Sequence, residues 1–373
     1  MFLALAEMRR ARVRFGLLIA SIALLVFLIL FQQSLQNALL TSFVGAIRNQ
    51  DAPVLVYSVD GQRFVQGSLI TPDLEELVRT ADGVGEIGRW GQGTFTVATS
   101  DELNDVTVIG FDTPGLGTPV DLVEGRLPSG PGEAVASDAD ADEGFAIGEV
   151  VRVLPGGYEI EVVGLARDVR LNAAPTLFAP YDSYLAAVAS VNPDAGEPLP
   201  NVLTVRPADG VTDAEVVASI NARSLELDAL TRADAADETP GVAQVRQSFQ
   251  IIFLLYGLVI PSVTGLFFLI ITFQKAGALT LLRAVGAPAN RLVSSLLLQA
   301  GIIVSAGFGL GVLLYLPLSQ RSIGGLPLRF ETAAVVFWAV LLAVLGVGSS
   351  LLSARRVLRI DPVEATRGAG VGT

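Results

Sequence analysis

The sequence predicts an α-helical membrane protein with four transmembrane helices and a mixed α+β extracytoplasmic domain inserted between the first and second of them. Three observations predict it. Four apolar stretches are long enough to cross a hydrocarbon core of about 30 Å, which takes roughly 20 helical residues. Arginine and the single lysine, Lys275, gather in the short segments on one side of those stretches, as they do in cytoplasmic loops. The long segment between the first two stretches instead holds most of the acids, and parts of it alternate in hydrophobicity as strands do.

Composition narrows the chemistry. The 373 residues are 51% hydrophobic and 17% charged, against about 25% charged in soluble domains. There are no cysteines and no histidines, which removes disulfides, thiolate or imidazole metal sites, cysteine nucleophiles and Ser-His-Asp triads. Lys275 follows Phe273 and Gln274 rather than a GxxxxGK[ST] run, so these residues form no phosphate-binding loop. The chain is therefore read as non-enzymatic, with no catalytic residue, no metal and no cofactor of its own.

Residues 1–14 carry four arginines against one acid and read as a cytoplasmic amphipathic helix. The first span covers 15–38. Its apolar run is longer than the core of a cleaved signal peptide, and no small-x-small cleavage site follows closely. Beyond Leu30 the residues Gln32, Gln33, Gln36 and Asn37 interleave with leucines, so the helix is expected to leave the bilayer as a stalk, the two together filling 15–40.

The exterior segment 41–247 holds 12 arginines and 33 acids, and it accounts for the net charge of −12 of the whole chain. Such a charge serves solubility; its sharper reading is attraction of a cationic ligand or peptide. A surface of this sign is no platform for nucleic acid. Alternation predicts strands at 54–59, 106–111, 150–154, 160–165 and 202–205, with a hairpin turn at Pro155-Gly156-Gly157. One helix is expected to start after Thr71, with Pro72 in its first turn. Another starts after Thr212, where Thr212 and Glu215 have the form of a capping box, and is expected to reach about residue 230. The alternating acids Asp138, Asp140 and Asp142, with Glu149, have the look of a calcium loop. Glu143 stands where that loop needs glycine, so a solvated acidic connection is the plainer reading.

The second, third and fourth spans are placed at 249–273, 292–318 and 332–352, with a short exterior loop at 319–331. The second carries Gly257, Pro261 and Gly265 on one face, and the third carries Gly301, Ser305 and Gly309, besides Gly307 and Gly311. Small residues four apart let another helix approach closely, either within the subunit or across a dimer interface. No acid or base lies deep in any span, which disfavours an ion or proton pathway. The cytoplasmic loop 274–291 holds Lys275, Arg283 and Arg291 with no acid. Within it Ala278, Leu281, Leu282 and Val285 share a helical face, and Gly286 with Pro288 ends the helix. That apolar stripe lies on the membrane or docks into a partner. The tail 353–373 opens a second capped turn at Asp361, Pro362 and Glu364. By these charges both termini are cytoplasmic in a multi-pass protein of the cytoplasmic (inner) membrane.

Two stretches, QKAGALTLLRAVGAPANRL and ARRVLRIDPVEATRG, resemble the signature segments of the FtsX-like permease family, the membrane subunits of MacB-, LolE- and DevC-type ABC transporters. The first matches the family's L(R/K)A(I/V)GA motif at Leu282, Arg283, Ala284, Val285, Gly286 and Ala287. The second matches R-x-x-x-(I/L)DPxEAxR at Arg356, Ile360, Asp361, Pro362, Glu364, Ala365 and Arg367. Where the family often places an acid soon after the basic residue that opens the loop, Lys275 is followed here by Ala276 and Gly277. The exterior stretch VEGRLPSGPGEAVAS is similar to the MacB-like periplasmic core domain. The resemblance implies a permease domain over about 249–367 and a mechanotransmission machine. A separate ABC ATPase chain carries the ATP and magnesium and pushes on a coupling helix at 274–291, with Lys275, Leu281, Leu282, Arg283, Val285, Gly286 and Ala287 as the coupling residues. A second permease subunit, identical or paralogous, completes the unit in the bilayer, with an extracytoplasmic accessory protein as a further partner. Different expectations are an FtsX-like regulator of an exterior enzyme, or a receptor or scaffold that works without any ATPase.

Overall fold

The computed structural model describes residues 12–100, 102–194, 196–284, 289–319, 322–323 and 326–358. The chain divides into two units: residues 37–247 form one, and 1–36, 248–323 and 327–373 form the other.

The second of these is helical. It contains most of α1 (Arg12–Arg48) and of α6 (Val242–Ala284), together with α7 (Ala289–Tyr315) and α8 (Thr332–Leu358). Three described stretches are long and apolar enough to cross a membrane: α1, Val242–Val259 and Leu297–Tyr315; a shorter apolar stretch runs from Thr332 to Leu345. Helix α1 runs on past Leu30 as far as Arg48, beyond the expected bound at 40. Phe15, Leu18, Ile22, Val26 and Ile29 of α1 pack with Ile303, Tyr315, Trp338 and Leu342. The close approach depends on two glycines of α7: a Cβ on Gly307 would lie 2.7 Å from Ile22, and one on Gly311 would lie 2.7 Å from Val26. Gly257, Gly301 and Gly309 have nothing within 4 Å of a built Cβ. Ser305 is exposed. Gly311→Val should therefore lower the unfolding temperature of the detergent-solubilised chain, since overpacking costs about 1–3 kcal/mol, while Gly309→Ala should leave it unchanged or raise it. Equal effects of the two would break the assignment of the α1–α7 contact.

The segment 274–291 differs from expectation. Helix α6 runs unbroken from Val242 to Ala284, and α7 begins at Ala289. Up to Ala284 the amphipathic stretch thus prolongs the second span's helix instead of forming an element of its own.

In the unit of residues 37–247 ten strands form one mixed sheet. They are β1 (Val54–Ser58), β2 (Val84–Ala98), β3 (Leu103–Phe111), β4 (Leu122–Gly125), β5 (Glu133–Ser137), β6 (Val150–Val153), β7 (Glu159–Ala166), β8 (Thr176–Pro180), β9 (Val202–Pro207) and β10 (Leu227–Thr231). The order is β10-β1-β9-β2-β3-β8-β5-β7-β4, with β6 pairing β2 and β7. All five strands expected from alternation are present, and β6 and β7 pair antiparallel across the Pro155-Gly156-Gly157 turn. Helix α2 (Pro72–Arg79) starts where expected, Thr71 Oγ1 accepting from the Leu74 amide. Helix α4 (Asp213–Asn221) carries the reciprocal Thr212–Glu215 cap. It stops at Asn221, well short of residue 230, because the Asn221 side chain bonds the Ala229 backbone at 2.7 and 3.0 Å. The chain from Leu227 is then taken up by β1 as β10. Helices α3 (Tyr181–Val191) and α5 (Arg232–Asp237) complete the unit.

Candidate functional site

The described residues hold no cluster of catalytic type, and among them no three histidine, cysteine or acidic side chains come together as metal ligands. What they do hold is a joint where α1 ends inside the core of the sheet unit, called here the stalk root.

Leu40, Val44, Ala46 and Ile47 of α1 are buried in the same core as Trp90, Phe178 and Val242, the residue that opens α6. The incoming and outgoing helices are tied by one carboxylate. Asp237 accepts from Arg48 Nη2 at 3.1 Å and from Arg246 at 2.5 and 3.2 Å. Arg246 first, and then Arg48, hold the Asp237 carboxyl below its ordinary range.

A second fastening grips the last turns of α1. At Val44 the helix leaves helical geometry (φ −132°, ψ 16°), and the segment 168–174 closes on the opening. The Ala46 amide donates to Arg170 O at 2.9 Å, while the amides of Asn172 and Ala173 donate to Phe43 O and Ser42 O at 3.0 and 2.8 Å. Asn49 Nδ2 donates to Asp168 O at 2.6 Å. Gly45 is required there, because any Cβ would collide with the Asp168 carbonyl. Asp168, Asn172 and Ala173 adopt left-handed backbone, with φ of 56°, 54° and 57°. That conformation is unfavourable for alanine and persists only where the surroundings fix it.

Part of what fixes it is an ion pair hidden from solvent. Arg170 Nε donates to Asp140 Oδ1 at 2.6 Å, its Nη2 reaches the same oxygen, and Nη2 also donates to Ala139 O at 3.3 Å. Asp140 is fully buried, and burial pushes its carboxyl up to about 6 against the opposing pull of Arg170. The two residues meet because β5 and β7 run parallel with Ser137 beside Ala166. The turn Asp138–Glu143 and the clasp 168–174 therefore leave the sheet at the same end. The acidic stretch 138–149 is thus more than a solvated connection: Asp140 faces inward onto Arg170, and Asp138 accepts from the Asp168 amide at 3.4 Å.

The sign of the pH effect follows. Asp140 binds its proton more tightly in the fold than in the open chain, whose ordinary value is near 3.8. Its contribution to stability is full below that value and fades as pH rises through about 6. Asp140→Asn should flatten the dependence of unfolding temperature on pH between about 4 and 6. An unchanged slope would place the titration elsewhere.

Of the coupling residues, Lys275, Leu281, Leu282 and Arg283 fall on α6, close to its end, and Val285, Gly286 and Ala287 lie outside the described residues. Pro261 and Gly265 lie on α6 with Gly257. Arg356 falls on α8, and Asp361, Pro362, Glu364 and Arg367 lie outside the described residues. The clasp was invisible to motif reading, since Arg170 belongs to no spacing pattern and the pattern that holds Asp140 points to a calcium loop instead. The one available signal was an isolated arginine soon after a strand, with alternating acids after another.

No protein-family model matches the chain. Over its whole length it is similar to HrtB of Staphylococcus haemolyticus, whose name assigns it to a hemin transport system as a permease protein, at 21% identity with 99% of each chain covered. An ABC transporter permease of Mycobacterium tuberculosis, itself uncharacterised, is 22% identical, again over 99% of each chain. Among solved structures, the periplasmic region of MacB from Actinobacillus actinomycetemcomitans covers 50% of this chain and 92% of its own at 14% identity, with a TM-score of 0.37.

Proposed function

We propose that this chain, a full-length relative of ABC transporter permeases, is the membrane subunit of an ABC machine of the FtsX/MacB kind, and that it turns ATP hydrolysis by a separate chain into movement of its exterior domain. The observation that carries the reading is the end-to-end likeness to permeases, covering 99% of both chains. These residues hold no phosphate-binding loop, and in this reading the ATP and its magnesium belong to the partner chain. Four spans cross the bilayer, the fourth built on α8, and both termini are cytoplasmic.

In this mechanism the ATPase closes on ATP, pushes the end of α6 near Leu282, and α6 and α1 carry the displacement outward. The stalk root supports that role: an exterior domain moved by its two helices needs them fastened into its core, and Asp237 and the 168–174 clasp are such fastenings. Two permease subunits form the working unit, because each of two paired ATPases needs a membrane platform. The face of Gly301, Ser305 and Gly309, left open within the subunit, is available to the second copy.

Co-expression with a Walker-motif ATPase tests the assignment. The ATPase is expected to co-purify with the chain and to hydrolyse ATP faster in its presence; a chain that is fully active with no ATPase bound would overturn it. Topology has its own test, because the sequence holds no cysteine. An impermeant thiol reagent applied to intact cells should label a cysteine placed at Ser190 and miss one placed at Ser353. The reverse pattern would invert the orientation.

A further inference from the structure

The two helices that meet at the stalk root are held there by unequal means. The last turns of α1 are fixed through their backbone. Ser42 O, Phe43 O and the Ala46 amide all bond the segment 168–174, and Leu40, Val44, Ala46 and Ile47 are buried. The first turns of α6 bond their own turn instead, the Val242 and Val245 amides donating to Thr239 O and Gly241 O. Val242 is buried there, but Val245 is only partly so.

Apolar contact between the two helices is incomplete. A notch of about 70 Å³ stays open between Leu40 and Phe43 of α1 and Pro240, Val242 and Val245. Charge alone would drive the helices apart, because each brings an arginine to the joint, Arg48 and Arg246. Among the described residues neither arginine pairs with any acid except Asp237. Asp237 is the last residue of α5, the end at which a helix dipole disfavours a carboxylate, so its placement does not serve its own helix. All three side chains are partly exposed. Ion pairs of that kind are individually weak and screened by salt, which makes this one easy to release.

The turn between Asp237 and α6 is suited to such a release. Its first half is anchored: Glu238 pairs with Arg63, and Thr239 Oγ1 donates to Ala235 O at 2.7 Å. Its second half, Pro240 and Gly241, is exposed, and Gly241 takes the left-handed conformation with φ of 90°. A few loop residues at the end of an element are enough to absorb the backbone rotation of a hinge.

We propose that Pro240–Gly241 is a hinge on which the first turns of α6 move against a stationary α1, and that Asp237 is the positioning residue that latches them, Arg246 leaving it when α6 is displaced while Arg48 stays. The inference rests on the permease reading for the source of the displacement. Its test uses neither ATPase nor nucleotide, so its failure is distinguishable from failure of that reading.

The test is spin-label distance measurement on the full chain in lipid nanodiscs. The sequence has no cysteine, so labels attach only where cysteines are introduced. One labelled pair is Gln247→Cys on α6 with Asp209→Cys, exposed in the loop after β9; the other is Thr41→Cys on α1 with the same Asp209→Cys. At low salt both distance distributions should be single and narrow. Asp237→Asn should broaden the Gln247 distribution and leave the Thr41 distribution narrow. About 1 M salt, where the Debye length is about 3 Å, should do the same to the unaltered latch. Asp237→Glu should keep the narrow form, and neither variant should move the unfolding temperature by much. A Gln247 distribution that stays narrow in Asp237→Asn would overturn the proposal. So would equal broadening of both pairs, which would mean that the whole joint had loosened rather than α6 alone.

Discussion

Leu282→Asp is expected to release the ATPase from the permease while leaving expression, membrane insertion and the exterior fold unchanged. Leu281 and Leu282 supply the apolar stripe of the coupling segment. Burying two leucines contributes on the order of 3–6 kcal/mol before ordering costs, and a carboxylate placed in that contact adds a desolvation cost of its own. Loss of a few kcal/mol weakens an association a hundredfold or more, at about 1.4 kcal/mol per factor of ten. Because α6 is one helix from Val242 to Ala284, the substituted position is continuous in secondary structure with the core residue that opens it. Retention of the ATPase on affinity purification, followed beside stimulated hydrolysis, checks the result. Were association and hydrolysis both untouched, the segment would be a membrane-surface helix and the site of coupling would lie elsewhere.

Arg170→Met should weaken the exterior unit by about 3–5 kcal/mol, the usual cost of stripping one partner from a buried ion pair. Asp140 would remain in the interior facing a thioether, with the clasp on Val44 losing its anchor. For a unit of this size roughly 2–4 °C accompany each kcal/mol, so the unfolding transition should fall by about 10 °C at neutral pH. Adding Asp140→Leu to Arg170→Met should recover most of the loss, since replacing both charges by apolar groups is often neutral. A single substitution costing under about 1 kcal/mol, or a double no better than the single, would mean that the clasp is held by its backbone bonds alone. The ATPase should still bind the single variant but drive less exterior work.

How much of this was legible in the sequence depends on how local the causes were. The strands at β1, β3, β6, β7 and β9 were visible because each alternates within its own few residues. Helices α2 and α4 were visible because Thr71 and Thr212 cap them from inside the motif. The longest strand, β2, was hidden by Gly85, Gly88, Gly91 and Gly93, which break the alternation. At Gly91 the absent side chain makes room for the Tyr184 ring of α3. Strand β4 is exposed along its whole length and so leaves no pattern of burial to read. The end of α4 was misplaced because a side-chain bond from Asn221 to Ala229 competes with continued helix, which composition does not reveal. The stalk root was beyond reach: Arg170 and Asp140 are thirty residues apart and are joined only by the parallel register of β5 on β7. Small residues in α7 were visible as a set, but only packing against α1 separates Gly307 and Gly311 from Gly301 and Gly309.

The strand order carries a consequence for how the chain is made. β1 lies between β9 and β10, so the first strand to be made has to wait for the last two before either of its edges is paired. Nearly the whole of residues 54–231 must be made before the sheet can close, and residues of α5 and the start of α6 must follow before the core at the end of α1 is filled. Long-range pairing of this kind is slow, since distant segments must meet before any contact rewards the meeting. In the proposed topology α1 enters the bilayer first, the segment that follows stays open while it is exported, and the sheet is completed as the second span arrives. A truncated chain released before residue 227 would leave β1 without its β10 partner, with the backbone groups of that edge unpaired.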